Sequence, residues 1–190
     1  MAPISAKKLL LVFVLASLGP TPGVSETKLA AANAADQSAT AAAPAANGHY
    51  IEFRVAHNGL YGHSYVVYGR ANAQGKPIES RYTDHYPMGG YGGMAVGHVL
   101  PVPANHEFDR AILKDVIASS YRRSLTTSQY KNLLTAIQQI KANKSPYWNA
   151  LTNNCNHFVG ELAKAVGMKI PSGMLIAYAF VPAIRSMNDH

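Results

Sequence analysis

The single cysteine of this 190-residue chain, Cys155, sits where a helix should begin. In residues 152–171, TNNCNHFVGELAKAVGMKIP, Asn153 and Asn154 are good N-cap residues and Gly167 is a natural stop. Between them Cys155, Phe158, Val159, Leu162, Ala163 and Val166 recur at helical spacing, so the thiol shares the face that buries the helix. A thiol in a first turn also lies near the positive end of the helix dipole and beside unpaired backbone N–H groups. Both favour thiolate, the nucleophilic form. The chemistry to expect is attack on a carbonyl, provided a base is near; the competing reading is a small core side chain.

The base must come from elsewhere in the chain. His157 is two residues further along the helix, about 200° around its axis, and points away from the Cys155 face. A structural role at the helix rim, bonding to a neighbouring loop, suits it better. His49, His57, His106 and His190 lie in polar or terminal stretches and read as solvated. His63 opens a β-branched and aromatic run directly after Gly62, and alternation places it on one strand face with Tyr65 and Val67. His85 and His98 are weaker candidates. A zinc site built from His63, His85, His98 and Cys155 lacks any HxH, HxxxH or CxxC spacing, so no metal or cofactor is expected.

These residues need elements to hold them. Residues 50–55 alternate as a strand; residues 63–68 and 78–82, joined by the turn chemistry of residues 72–77, read as a hairpin. Residues 86–97, YPMGGYGGMAVG, are glycine-rich without phosphate-loop spacing and read as a surface loop, with a further strand over residues 96–102. Phe108, Ile112, Val116 and Ile117 predict a helix over residues 107–121. Thr126 and Gln129 form a capping box that opens a second helix, with Tyr130, Leu133, Leu134, Ile137 and Ile140 on one face. The cysteine helix follows, and then an apolar run over residues 174–181 that belongs to the core. The class is α+β.

The ends and the charge set the compartment. Lys7 and Lys8 precede an apolar run over residues 9–18 and then small, helix-breaking residues, so residues 1–25 read as a secretory signal peptide. Cleavage is expected after Ser25, or after Ala34 in the alternative. Residues 26–47 are alanine-rich with almost nothing to bury and read as a flexible leader. Residues 48–190 are the size of one domain. Removing residues 1–25 takes away two lysines and no acid, leaving a net charge of about +5 that suits contact with an anionic envelope surface. The basic residues are scattered, and nucleic acid is not an expected partner. Exported proteins commonly pair their cysteines, so a lone one should be well buried or useful.

TNNCNHFVGELAKAVGMKIPS resembles the cysteine-helix motif of the PPPDE thiol peptidases, N-C-N-x-F with an I-P-S exit. It is also similar to the N-C-x-H-F motif of lecithin:retinol acyltransferase-like proteins. Both groups have a circularly permuted papain-like fold, related to NlpC-type cell-wall peptidases, in which the histidine strand precedes the cysteine helix. GHSYVVYG at residues 62–69 resembles that strand, and the match covers residues 50–80 and 147–173.

The resemblance implies a small antiparallel sheet packed against the cysteine helix and two to three further helices. It implies Cys155 as nucleophile, His63 as base, and a third polar group on the following strand. Glu79, Arg81, Asp84 and His85 are the candidates for that third group. The oxyanion would lie near the Cys155 backbone N–H, with Asn149 or Asn154 as a helper; Asn149 stands six residues before the cysteine, the offset of the papain-like oxyanion glutamine.

The expected protein is an exported, periplasmic or extracellular cysteine hydrolase of peptidase or amidase type. Its substrate would be a peptide, a peptidoglycan stem or an acyl compound. A thiol acyltransferase or lipid-modifying enzyme should carry an apolar groove beside Cys155. A non-catalytic envelope-binding module should have Cys155 sealed and far from His63.

Overall fold

The structure is a computed structural model that describes residues 48–144 and 146–189; the expected signal peptide and leader, and His190, lie outside these residues. In chain order the elements are β1 (His49–Ala56), β2 (His63–Ala71), β3 (Pro77–Thr83), β4 (Tyr86–Pro87), α1 (Gly90–Gly97), β5 (Val102–Asn105), β6 (Ile117–Leu125), α2 (Thr127–Lys141), β7 (Tyr147–Trp148), α3 (Cys155–Ala165) and α4 (Ala177–Asn188). The class is α+β, as expected. An antiparallel sheet runs in the order β3-β2-β1-β6, and β4-β5-β7 form a smaller one.

Alternation along β1 and β2 gives the larger sheet two apolar faces. Ile51, Phe53, Val55, Val66 and Tyr68 meet Leu133 and Ile137 of α2, Phe158, Val159 and Leu162 of α3, and Phe180 and Ile184 of α4. Each such side chain contributes about 1.5–3 kcal/mol by leaving water. Tyr50, Tyr65 and Val67 point the other way and pack with Ile112 and Phe108. The α2 capping box is present, with Thr126 Oγ1 accepting from the Gln129 N–H at 3.2 Å and Gln129 Oε1 from the Thr126 N–H at 3.0 Å. No helix among the described residues is long and apolar enough to cross a membrane.

Four expectations are corrected. The helix expected over residues 107–121 is instead a 3-10 turn at Arg110–Lys114 followed by β6. Its supposed apolar stripe is not buried as a stripe: Ile112 is inside, but Val116 is 74% exposed and Ile117 46%. The free edge of β1 takes residues 117–125 as a strand, burying Tyr121 and Leu125 at the period of two. The glycine-rich loop contains β4 and the helix α1. Gly97 allows that helix to close on the small sheet, since a Cβ there would lie 2.5 Å from the Trp148 ring. The strand expected over residues 96–102 begins only at Val102. His106, expected in solvent, is half-buried against His85 and Phe158.

Candidate active site

Cys155 is the first residue of α3, and Asn154 is its N-cap. Asn154 Oδ1 accepts from the His157 N–H at 3.1 Å, while its amide donates to the carbonyls of Ala150 (2.7 Å) and Gly173 (3.0 Å). The helix entry is therefore tied on three sides, and the thiol is only partly covered. As N1 of the helix, Cys155 has a backbone N–H with no intrahelical acceptor.

His63 enters from the start of β2. Gly62 before it adopts φ +68°, and a Cβ there would lie 3.0 Å from both the Val55 side chain and the Tyr178 ring. Only glycine serves both the backbone and the space. The β2–β3 register pairs Val66 with Thr83, so the chain leaving β3 carries Asp84 back towards the start of β2. There Asp84 Oδ2 lies 3.4 Å from His63 Nε2. The Asp84 side chain is fully buried, and neither carboxylate oxygen has a hydrogen bond of good geometry among the described residues. A buried carboxylate so placed demands a cation, and His63 is the group facing it.

The electrostatics follow from this arrangement. Burial opposes charge on His63, but Asp84 and then Cys155 outweigh it and push the imidazole up to about 10. Burial pushes the Cys155 thiol up, yet its hydrogen bond and charge interaction with His63, with help from Ser64, bring it down to about 7. The two shifts describe one event, a thiolate–imidazolium pair between about pH 7 and pH 10.

Of the candidate residues, Cys155, His63 and Asp84 come together, and the others do not join them. Glu79 is on the exposed part of β3, bonded to Arg81 Nε at 3.0 Å. His85 turns away into a cluster with His106 and Phe158, its Nε2 3.2 Å from the Asn153 carbonyl. Asn149 donates from its amide to the Gly97 carbonyl, and its Oδ1 accepts from the Leu151 N–H and from the Thr152 N–H and hydroxyl, which makes it a turn residue. Asn154 is consumed by the cap. His157 has the expected rim role, with Nδ1 2.9 Å from Asn154 Oδ1 and its ring against Gly173. Among the described residues no group of three or more His, Cys, Asp or Glu could hold a metal ion.

The chain matches none of the family models, curated proteins or solved structures it was compared with. Its own geometry therefore carries the functional argument.

Two polar residues escaped the sequence reading. Ser64 and Asn156 are buried beside the pair, joined by a Ser64 Oγ–H bond to Asn156 Oδ1 at 2.7 Å. Helical periodicity left Asn156 off the apolar stripe, and Ser64 looked like an ordinary strand residue. The available signal was position: each directly follows a member of the pair.

A cavity of about 690 Å³ opens over Cys155 and His63. Its wall is mainly apolar, with Leu60, Tyr61, Tyr91, Leu151, Met174 and Ile176 around it. All six are substantially exposed, which is unusual for so many large apolar side chains at one opening.

Proposed function

We propose that this protein is an exported cysteine hydrolase with a permuted papain-like arrangement, cleaving an acyl or amide bond through Cys155 and His63. The observation that carries the reading is that His63 and Cys155 line one cavity, with buried Asp84 at 3.4 Å from the imidazole. The order in the chain, with the histidine strand before the cysteine helix, agrees with it. Export rests on the signal-peptide pattern of residues 1–25.

The thiolate adds to the substrate carbonyl, forming the S–C bond while the carbonyl pair moves onto oxygen. The Cys155 backbone N–H at the start of α3 is aimed to receive that charge. His63 gives its proton to the leaving group, and then takes one from the water that releases the acyl group. Asp84 does not touch the substrate; it keeps the imidazole oriented and its charged form stable.

The apolar cavity favours one second reading, an acyl-chain substrate with either water or another nucleophile as acceptor. A sealed cysteine remote from His63, which a binding module would have, does not fit a residue that is only partly buried and lines one cavity with His63. A screen of p-nitrophenyl esters of two to sixteen carbons alongside peptidoglycan stem peptides tests both readings, with Cys155→Ser as control. Turnover should fall at least ~10³-fold in the control. Preference for long chains selects the acyl reading, preference for stem peptides the peptidase reading, and turnover unchanged in Cys155→Ser defeats both.

A further inference from the structure

Each member of the pair is followed by a buried polar residue, and the two followers are bonded to one another. Ser64 is 0% exposed and Asn156 2%. The Ser64–Asn156 bond joins β2 to α3 across 92 residues of sequence, and Asn156 Nδ2 donates to the Leu175 carbonyl at 2.5 Å. Small apolar side chains would pack there without the cost of burying a hydroxyl and an amide. Ser64 also lies beside the nucleophile: its hydroxyl and the Cys155 sulfur share one acceptor, Asn156 Oδ1, at 2.7 and 4.0 Å, and Ser64 is among the groups that lower the pKa of the thiol.

These contacts cannot all be made at once. A serine hydroxyl has one proton, while the Asn156 Oδ1 and a Cys155 thiolate are both acceptors. The Ser64 proton therefore has two alternative places to go. When Cys155 carries its proton, the sulfur makes no demand on the hydroxyl; its own S–H faces Asn156 Oδ1 at 4.0 Å.

We propose that Ser64 is a further active-site residue whose hydroxyl alternates between Asn156 Oδ1 and the Cys155 thiolate, with Asn156 as the positioning residue that holds it when the sulfur is uncharged. The assignment rests on the thiol-nucleophile reading above. No proton leaves Ser64 in this step. The hydroxyl rotates onto the sulfur as thiolate forms, and returns to Asn156 as the S–C bond removes the charge. The thiolate is stabilised in the resting enzyme, and the leaving hydrogen bond keeps an acceptor, so acyl transfer does not strand a buried donor.

The test is the pH profile of Cys155 alkylation by iodoacetamide in the whole protein, with circular dichroism to establish folding. Ser64→Ala should shift the profile to higher pH and lower the rate at pH 7 about tenfold, while Ser64→Thr, which keeps the hydroxyl, should follow the wild type. Asn156→Leu should move the other way, with on the order of threefold faster alkylation at pH 6, because the hydroxyl then has only the sulfur. Simple loosening of the site would move both variants upward. A folded Ser64→Ala that superimposes on the wild type, or an Asn156→Leu profile that is unchanged or shifted upward, overturns the alternation. If Ser64→Ala does not fold, Asn156→Leu decides alone. His63→Ala separates the two claims: a profile unmoved by that substitution defeats the cysteine–histidine pair itself.

Discussion

Asp84 and His85 are neighbours in sequence but belong to opposite electrostatic worlds. Asp84 faces His63, whose imidazole is held charged; His85 faces His106, Nδ1 to Nδ1 at 3.2 Å, and is held neutral. Since a carbonyl can only accept, the His85 proton lies on Nε2 towards Asn153, leaving Nδ1 to accept from His106. Both rings lie against Phe158 in a stack. Burial disfavours the charged form at both places. At His85 burial is joined by repulsion from His106 and takes the pKa down to about 4; at His63 a carboxylate and a thiolate reverse it. Burial is common to the two histidines, and their partners decide the outcome.

The comparison breaks most directly at His63. Without the imidazolium only Ser64 opposes the burial penalty on Cys155, so His63→Ala should raise the midpoint of alkylation from about 7 towards the ordinary thiol value of 9. At pH 7 a midpoint of 9 means about fiftyfold less thiolate. A profile with its midpoint still near 7 would dissolve the contrast between the two sites.

Asp84→Asn should have a smaller effect. It removes the charge that sustains His63 but keeps the shape, so kcat on the best ester probe should fall about 10- to 100-fold with KM little changed. The upper arm of the pH–rate profile should move down from about pH 10, because less base is needed to discharge the imidazole. An unmoved upper arm would assign the elevation of His63 to Cys155 alone.

His85 supplies the smallest effect and the opposite pH window. Its folded pKa lies below its ordinary value of 6.5, so the unfolded chain binds more protons between about 6.5 and 4. Stability should therefore fall on the order of 3 kcal/mol as pH drops through that interval, measured by urea unfolding. His85→Phe should flatten this slope while leaving the alkylation profile in place; a displaced profile would mean the two sites are coupled. His63 contributes with the reverse sign, since its raised pKa stabilises the fold at low pH and loses that contribution as pH rises through about 10.

The sequence made local features legible and hid those that depend on distant partners. Cys155, Phe158, Val159 and Leu162 announced α3 because a helix writes its own burial pattern, and the Thr126–Gln129 box announced α2 for the same reason. The β2–β3 hairpin was readable because its turn is local. β6 was not: Phe108, Ile112 and Val116 imitate a helical stripe, and the vacant edge of β1 that recruits residues 117–125 lies some sixty positions earlier. At the site, the third group could be narrowed to β3 and the residues just after it but not selected. The choice depends on where the strand ends relative to His63, one residue beyond Thr83, and on His106 drawing His85 away. Asn149 was picked by its offset from Cys155, whereas its bonds to Gly97 and Thr152 depend on a turn that the offset does not reveal.

One packing detail bears on how the site is assembled. Gly62 sits against Tyr178 of α4, whose hydroxyl also meets His57 and the Gly59 carbonyl, and the Ala177 N–H bonds to the Tyr61 carbonyl. The loop that aims His63 is thus moulded by a helix translated after both members of the pair. In the chain, Cys155 and His63 both precede that helix. The placement of His63 beside Cys155 therefore depends on a helix to which neither residue belongs.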